Sequence, residues 1–279
     1  MKTILMGLLA ETSVHPGAGR NLGVVDLPVA REAATDYPVL VGSSLKGALR
    51  DSAEQLWDKK DKRVTSLYGV QSQAGELVVS DGRLVLLPVR SLTGSSRWVT
   101  CPQILERLVR DLKRAGLTPG FQVPTLPGRT AALAQRSRPD DAREALFLEE
   151  REFVLSGEPD DAVVEALGRL IAYDDTRARL KARLVIVGDD QFAWFARYAL
   201  PIQARNALDE KKTSKALWYE ESLPPDTVMS ALLIARRGDA LANVRAQLDS
   251  STWLQTGGNE TVGQGWFKLS VIDADKQEA

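Results

Sequence analysis

The sequence predicts an α+β fold of ferredoxin-like type carrying long insertions. Three observations predict it. Apolar strand-like runs such as "ARLVIVG" mix in short units with helix-period segments such as "PQILERLVRDLKRAG". A hairpin signal, Asp81-Gly82, stands between the apolar runs of "ELVVSDGRLVLLPV". Glycine-, proline- and polar-rich stretches then separate these units at lengths no tight turn needs. No internal repeat or low-complexity tract offers another architecture.

The elements follow in order. Residues 3–10 read as a first strand, and 11–42, rich in glycine and proline, as mostly loop. In "GSSLKGALRDSAEQLW", Leu45, Ala48, Leu49, Ala53, Leu56 and Trp57 fall at helical spacing, with Ser43 or Ser44 as N-cap. Two strands around Asp81-Gly82 come next, then a helix with Pro102 at its start and Gly116 at its end. The segment 117–145 holds four prolines and reads as a long exposed loop. "ALFLEEREFVL" suggests one strand or a strand pair, "DDAVVEALGRLIAYD" a capped helix, "ARLVIVG" a buried strand and "DDQFAWFARYAL" a short helix. The polar stretch 201–225 reads as an extended excursion. "DTVMSALLIA" gives a strand, "DALANVRAQLD" a helix, "TGGNETVGQGW" a glycine loop and "FKLSVID" a closing strand.

Composition narrows the function classes. A chain of 279 residues with 44% hydrophobic and 26% charged residues has the balance of a globular protein with a sizeable core. A net charge of −1 supplies no global field toward nucleic acid, so any such binding is local. Residues 81–115 carry seven basic groups against three acidic, and 140–165 carry ten acidic against two basic. Such zones suit a polyanion on one side and a basic neighbour on the other, or are simply solvated faces. The single cysteine, Cys101, excludes an internal disulfide and a cysteine zinc site and fits a reducing cytoplasm. No apolar run approaches membrane length, and the N-terminal stretch reads as a strand rather than a signal peptide.

Four stretches could carry chemistry. In "GSSLKGALR", Lys46 and Arg50 lie four apart at the start of a helix, where exposed N–H groups and the hydroxyls of Ser43 and Ser44 complete an anion site. The alternative is a capped helix with a solvated face, and the phosphate-loop spacing is absent. Gly257, Gly258, Gly263 and Gly265 allow close backbone approach to a ligand, although glycine clusters are commonly turns. Arg205, Lys211, Lys212 and Lys215 near Trp218 and Tyr219 could grip phosphates and stack bases, or form a solvated hairpin. His15 is the lone histidine, with no partner for a zinc pair or a catalytic triad. Asp26 sits between Val24-Val25 and Leu27-Pro28-Val29, where a carboxylate is paired, exposed on a loop, or used in chemistry.

Five stretches together resemble one family: "HPGAGRNLGVVDLPVARE" with "YPVLVGSSLKGALR", "RSLTGSSRWVTCPQILERL", "LDEKKTSKALWYEESLPPDT" and "TGGNETVGQGW". The chain is similar to the repeated backbone subunits of the type III-B CRISPR effector, the Cmr complex, within the RAMP superfamily. The resemblance runs in order over nearly the whole chain and is weakest over 117–165. It implies a single RAMP domain: an RRM-like palm, with insertions at about 11–42, 117–145 and 201–225 forming fingers and a thumb hairpin. It implies subunits stacked head to tail on one guide RNA, in the cytoplasm, beside other effector subunits. The thumb of each displaces a base pair of the guide–target duplex, and the target RNA is cleaved beside each displaced nucleotide.

By motif match, "GVVDLPVARE" is the catalytic loop and Asp26 the cleavage aspartate, with His15 in the same element. "SSLKGALR", with Ser43, Ser44, Lys46 and Arg50, matches the guide-backbone contact. Lys211, Lys212, Thr213, Tyr219 and Glu220 match the thumb, and Gly257, Gly258, Gly263 and Gly265 the C-terminal glycine loop near RNA. The reaction implied is attack of the 2′-OH on its own 3′-phosphate, giving a 2′,3′-cyclic phosphate and a 5′-OH. Asp26 either holds a divalent metal or accepts the 2′-OH proton. The metal is favoured, because an aspartate with a pKa of about 3.9 is a poor base at neutral pH. With no carboxylate cluster around it, the ion would be weakly held and shared with RNA, as Mg2+ commonly is. Two alternatives stand beside this reading: a guide-RNA scaffold without nuclease activity, and a stand-alone endonuclease that processes guide precursors with a histidine.

Overall fold

The computed structural model describes residues 2–20, 23–92, 94–136 and 145–274. Strand β1 (Thr3–Ala10) is followed by a looping segment, the short β2 (Val39–Leu40), and the helices α1 (Gly42–Trp57) and α2 (Lys62–Tyr68). Then come β3 (Gly69–Val70), β4 (Gln73–Ala74), β5 (Leu77–Val79), β6 (Gly82–Ser91), β7 (Ser95–Thr100) and α3 (Pro102–Arg114). The middle of the chain holds β8 (Ala131–Ala134), β9 (Ala145–Leu148), β10 (Arg151–Gly157), α4 (Asp161–Gly168), α5 (Asp174–Ala178), α6 (Leu180–Arg183), β11 (Leu184–Val187) and α7 (Asp189–Tyr198). The last part holds β12 (Ile202–Leu208), β13 (Ser214–Glu221), β14 (Val228–Ala235), α8 (Ala240–Ser250), β15 (Trp253–Gln255) and β16 (Trp266–Ile272).

One sheet organises the molecule, in the order β15-β16-β1-β14-β6-β7-β11-β8-β10-β9. Its first half contains the ferredoxin-like unit. Taking β1, β6, β14 and β16 as strands one to four, the order β16-β1-β14-β6 is four-one-three-two, with α1 after the first strand and α8 after the third. Everything from β7 to β13 is therefore inserted between the second and third strands of that unit. The 10-residue β6 links the halves. Its start pairs with β14 and its end with β7. The inserted strands curl round until β9 touches β6 again at Ser91 and Leu148. β1 is buried at every position, so both of its faces are covered. The core runs continuously from Leu5 and Met6 through Leu45 and Leu49 to Trp98, Phe153, Phe192 and Phe195.

Three expectations need correction. Asp81-Gly82 is not a hairpin turn. β5 and β6 both pair antiparallel with β14, as two pieces of one line. Ser80 bridges them, its N–H donating to the Leu232 carbonyl and its Oγ accepting the Leu232 N–H. A type I′ turn needs positive φ at both central residues, and neither Asp81 nor Gly82 has it. Asp81 instead takes the N-cap role expected of Ser43 or Ser44: its Oδ1 accepts the Gly42 N–H at 2.7 Å, while both serines lie inside α1. The stretch 117–145 is not all exposed loop. It contains β8, whose Ala132 and Ala134 are buried between β11 and β10, and residues 137–144 lie outside the described residues. Alanine-rich "AALA" carries little strand signal, and the sheet around it overrides that.

Candidate functional site

The site grows from the loop that leaves β1. Val14 exchanges both backbone hydrogen bonds with Leu223, which fixes His15 beside the base of the β12–β13 hairpin. His15 is 7% exposed. Its Nδ1 lies 2.7 Å from the Glu221 carbonyl. An acceptor there requires the proton on Nδ1, so Nε2 is the face turned toward Glu220, 3.8 Å from Oε1. The backbone of His15 also receives the glycine loop: its carbonyl accepts the Gly258 N–H at 2.8 Å. Gly257 sits at φ 103°, where a Cβ would come 2.9 Å from that carbonyl, so glycine is required there for this approach.

Asp26 lies in the return arm of the same loop. Ala18 and Ala30 bond back across it to Pro28 and Pro16, at 3.2 and 2.6 Å. Leu27 docks parallel to the hairpin's second strand, giving its N–H to Tyr219 and taking that of Glu221. This register brings Asp26 Oδ2 within 2.8 Å of the Tyr219 N–H. The carboxylate is thus half-buried and anchored through one oxygen. No partner for Oδ1 occurs among the described residues.

Two consecutive acids hold this arrangement from behind. Glu221 is 6% exposed; its Oε2 accepts the Val29 N–H at 3.0 Å and its Oε1 binds Arg31 at 2.7 Å. Glu220 is 4% exposed and binds Arg205 at 3.0 Å and Asn259 from the glycine loop. Strand alternation sends the two side chains to opposite faces of β13, so together they clamp the Asp26 loop, the hairpin and the glycine loop. Glu220 was expected at the RNA. The structure makes it a buried anchor, because two cationic or amide partners and His15 surround it. Glu221 and Asn259 carry no motif signal that sequence reading used. The pair of acids ending an aromatic strand, and an asparagine after two glycines, are the only marks of them.

A cleft of about 700 Å3 opens beside these groups, lined among others by His15, Gly17, Leu27, Ser44, Asp51 and Gly257. One wall is α1, whose small residues Ser44, Gly47 and Ala48 keep it open. The structure divides the "SSLKGALR" residues. Ser44 faces this cleft, whereas Ser43 and Lys46 line a second groove of about 360 Å3 with Tyr68 and Arg236. Lys46 Nζ donates to the Leu77 carbonyl at 2.9 Å. Burial, and then the charge of Arg236, lowers its pKa from the ordinary lysine value. Arg50 is bound to Glu54 at 2.7 Å and to the Gly69 carbonyl at 3.0 Å, within the protein rather than toward the cleft. Lys211, Lys212 and Thr213 form the exposed hairpin tip, folded around Asp209, whose Oδ1 accepts the N–H groups of Lys211 and Thr213. Tyr219 is 44% exposed near the base. The tip is separated from Asp26 by the run of β13 up to Tyr219, roughly 20 Å. Gly263 and Gly265 close the far side of the glycine loop, Gly265 against the Thr256 carbonyl.

The donor set bears on a metal. Among the described residues no group of three or more histidine, cysteine, aspartate or glutamate side chains is arranged to hold one. Glu220 and Glu221 are spent on partners, Asp26 keeps one oxygen unpartnered among the described residues, and Asp51 and Glu260 line the cleft without joining such a group. That fits an Mg2+ ion shared with RNA phosphates and does not fit a cage built by the protein alone.

Comparison with known proteins agrees with the geometry. The family model for the RAMP superfamily matches residues 8–268. The chain is 33% identical, over 97% of its length and 96% of the relative, to the CRISPR system Cmr endoribonuclease Cmr4 of Pyrococcus furiosus. It superposes on the crystal structure of oligomeric Cmr4 from Pyrococcus furiosus with a TM-score of 0.78 and 29% identity, covering 98% of this chain and 99% of that one. A chain of the type III-B Cmr-beta complex bound to cognate target RNA, solved by cryo-electron microscopy, gives 0.78 at 19% identity over 97% of both chains and shares the fold. With the four-one-three-two palm, the long insertion and the glycine loop seated on the first loop, the chain belongs to the RAMP superfamily.

Proposed function

We propose that this chain is a guide-RNA-binding backbone subunit of a type III-B CRISPR effector, and that it cleaves the complementary target RNA at regular intervals. The observation that carries this is Asp26. It is fastened by the Tyr219 N–H at the base of a projecting hairpin, and its neighbour Leu27 lines the cleft of about 700 Å3. The identity to a Cmr endoribonuclease over nearly the whole chain supports it. The partners we assign are a guide RNA, a target RNA, further copies of this chain stacked head to tail, and other effector subunits. The cytoplasm is the setting we assign. No described helix is long and apolar enough to cross a membrane.

The reaction is transesterification. The target's 2′-OH gives its proton to water as its oxygen attacks the adjacent 3′-phosphorus, the bond to the 5′-oxygen breaks, and that oxygen takes a proton from water to leave as a 5′-OH. The hairpin's role is to part the duplex so the ribose can turn in line. Asp26 presents Oδ1 toward the reacting phosphate, its other oxygen being fixed by backbone. A divalent cation bound there would neutralise charge on the phosphorane. His15 has Nδ1 committed to Glu221 and Nε2 turned to Glu220, which suits a loop-fixing role. This weakens the stand-alone processing reading, which needs a histidine free for proton transfer.

The test is Asp26→Asn in the complex reconstituted with guide, matched target RNA and magnesium, with binding and cleavage measured separately. Cleavage is expected to fall at least a hundredfold with target binding unchanged. Unchanged cleavage would make this chain a scaffold and move the chemistry to another subunit. An arm with EDTA should abolish cleavage by the wild type if the cation is required.

A further inference from the structure

Beyond the cleft, one surface combines features of a nucleobase platform. Trp253 and Trp266 are 41% and 39% exposed. They lie on the edge pair β15–β16, where Trp253 faces Lys268 and Gln255 faces Trp266 across the ladder. This register makes the two indoles diagonal neighbours on one face. Lys268 sits between aromatics, its Nζ 4.8 Å from the Trp253 ring centre and 5.8 Å from that of Tyr173. Its ammonium donates to Thr252 Oγ1 at 2.7 Å and forms no ion pair among the described residues.

The placement explains why these rings are bare. β16 pairs with β1 so that Lys268 and Ser270 share a face with Leu9 and Gly7. Further along, the insertion covers that face: the Leu170 backbone packs against Gly7 so closely that a Cβ there would lie 2.5 Å from the Leu170 carbonyl. The cover ends at Tyr173. The exposed remainder of the face carries two tryptophans and a cation without an acid. At its end lie Gln255 and Thr256, which line the cleft. Strand-borne aromatics beside a cation stack unpaired bases on sheet surfaces. Each indole is partly covered by the fold and keeps about two-fifths of its surface exposed, which leaves ring area open to a stacking partner.

We infer that Trp253, Trp266 and Lys268 form a stacking platform for unpaired bases of an RNA strand leaving the cleft past the glycine loop. The inference rests on the RNA-binding reading given above and adds a second contact zone to it. Its chemistry is sequence-tolerant, because every base offers a π-face and Lys268 offers charge to any phosphate.

Two probes test it with the full-length chain: a labelled oligouridylate, and an abasic ribose-phosphate strand of the same length. Trp253→Ala and Trp266→Ala should each weaken oligouridylate binding roughly tenfold and leave the abasic strand unaffected. Trp253→Phe and Trp266→Phe, which keep a ring and the packing, should retain most of the affinity. Oligouridylate should quench the wild type's tryptophan fluorescence, and the quenching should weaken in the two alanine variants. Equal binding of both probes by wild type and alanine variants would overturn the platform while leaving the cleft reading intact. Alanine variants that lose self-association in sedimentation but keep RNA affinity would make this face a copy-to-copy contact, and overturn it. A wild type that binds neither probe would overturn the platform, while the cleft reading is decided separately by cleavage in the reconstituted complex.

Discussion

Glu221 shows what one buried carboxylate does here. It satisfies the Val29 N–H and the Arg31 guanidinium at once, and no water replaces it at 6% exposure. Glu221→Ala leaves both partners underbonded and is expected to destabilise by about 3 kcal/mol, read by urea unfolding. If the proposed reaction holds, it should also slow cleavage in the complex, through the loop that carries Asp26, because buried Glu221 fastens that loop at Val29 and Arg31. Lys46 behaves in the opposite sense. Burial and Arg236 hold its pKa below the ordinary 10.5, so the unfolded chain keeps that proton more tightly. Stability should therefore rise as pH climbs toward 10.5. Lys46→Met is expected to remove that rise and to be no less stable at neutral pH. If the second groove carries a phosphate, the same variant lowers the salt dependence of RNA affinity by about one charge.

At the scale of elements, α1 illustrates a cap supplied from far along the chain. Asp81 reaches 39 positions back to the first N–H of the helix. Asp81→Ala should cost about 1 kcal/mol in thermal unfolding, whereas Ser43→Ala and Ser44→Ala should stay within about 0.5 kcal/mol. The hairpin β12–β13 is a different case. Its middle is exposed on both strands, and Leu208 and Leu217 are 55% and 60% exposed. It stands on its base, where Glu220, Glu221 and the docked Leu27 bind it, and not on a core of its own. Sequence reading had the excursion and its basic tip. It lacked the base, because Glu220 and Glu221 look like surface acids until Arg205, Arg31 and Asn259 are placed beside them.

Over the whole molecule, the insertion between β6 and β14 is the larger structural fact. It extends the sheet of the ferredoxin-like unit and then folds back over it, and at Gly7 the Leu170 backbone of the insertion packs directly against β1. Gly7→Ala forces the Leu170 backbone away. It is expected to cost about 1–3 kcal/mol, and to speed proteolysis within 161–183 more than within the palm. The same covering closes part of the sheet face and leaves the cleft along α1 and the partly exposed tryptophans at the edge accessible.

Local pattern was enough for β1, α3, β11, α7, β14, α8 and β16, since each buries a periodic apolar face or a short apolar run that only one element type can bury. It was also enough to mark Asp26, His15 and the glycine loop as unusual. The strand β8, the broken line of β5 and β6, the helix cap from Asp81 and the separation of Lys46 from Ser44 came only with the tertiary structure. Each depends on partners distant in sequence: a sheet that recruits alanines, a carboxylate that caps across 39 residues, two grooves on either side of one helix. Hydrophobic periodicity reports which face of a segment is buried; it carries no information on what buries it, and that is why the elements were legible and the site's assembly was not.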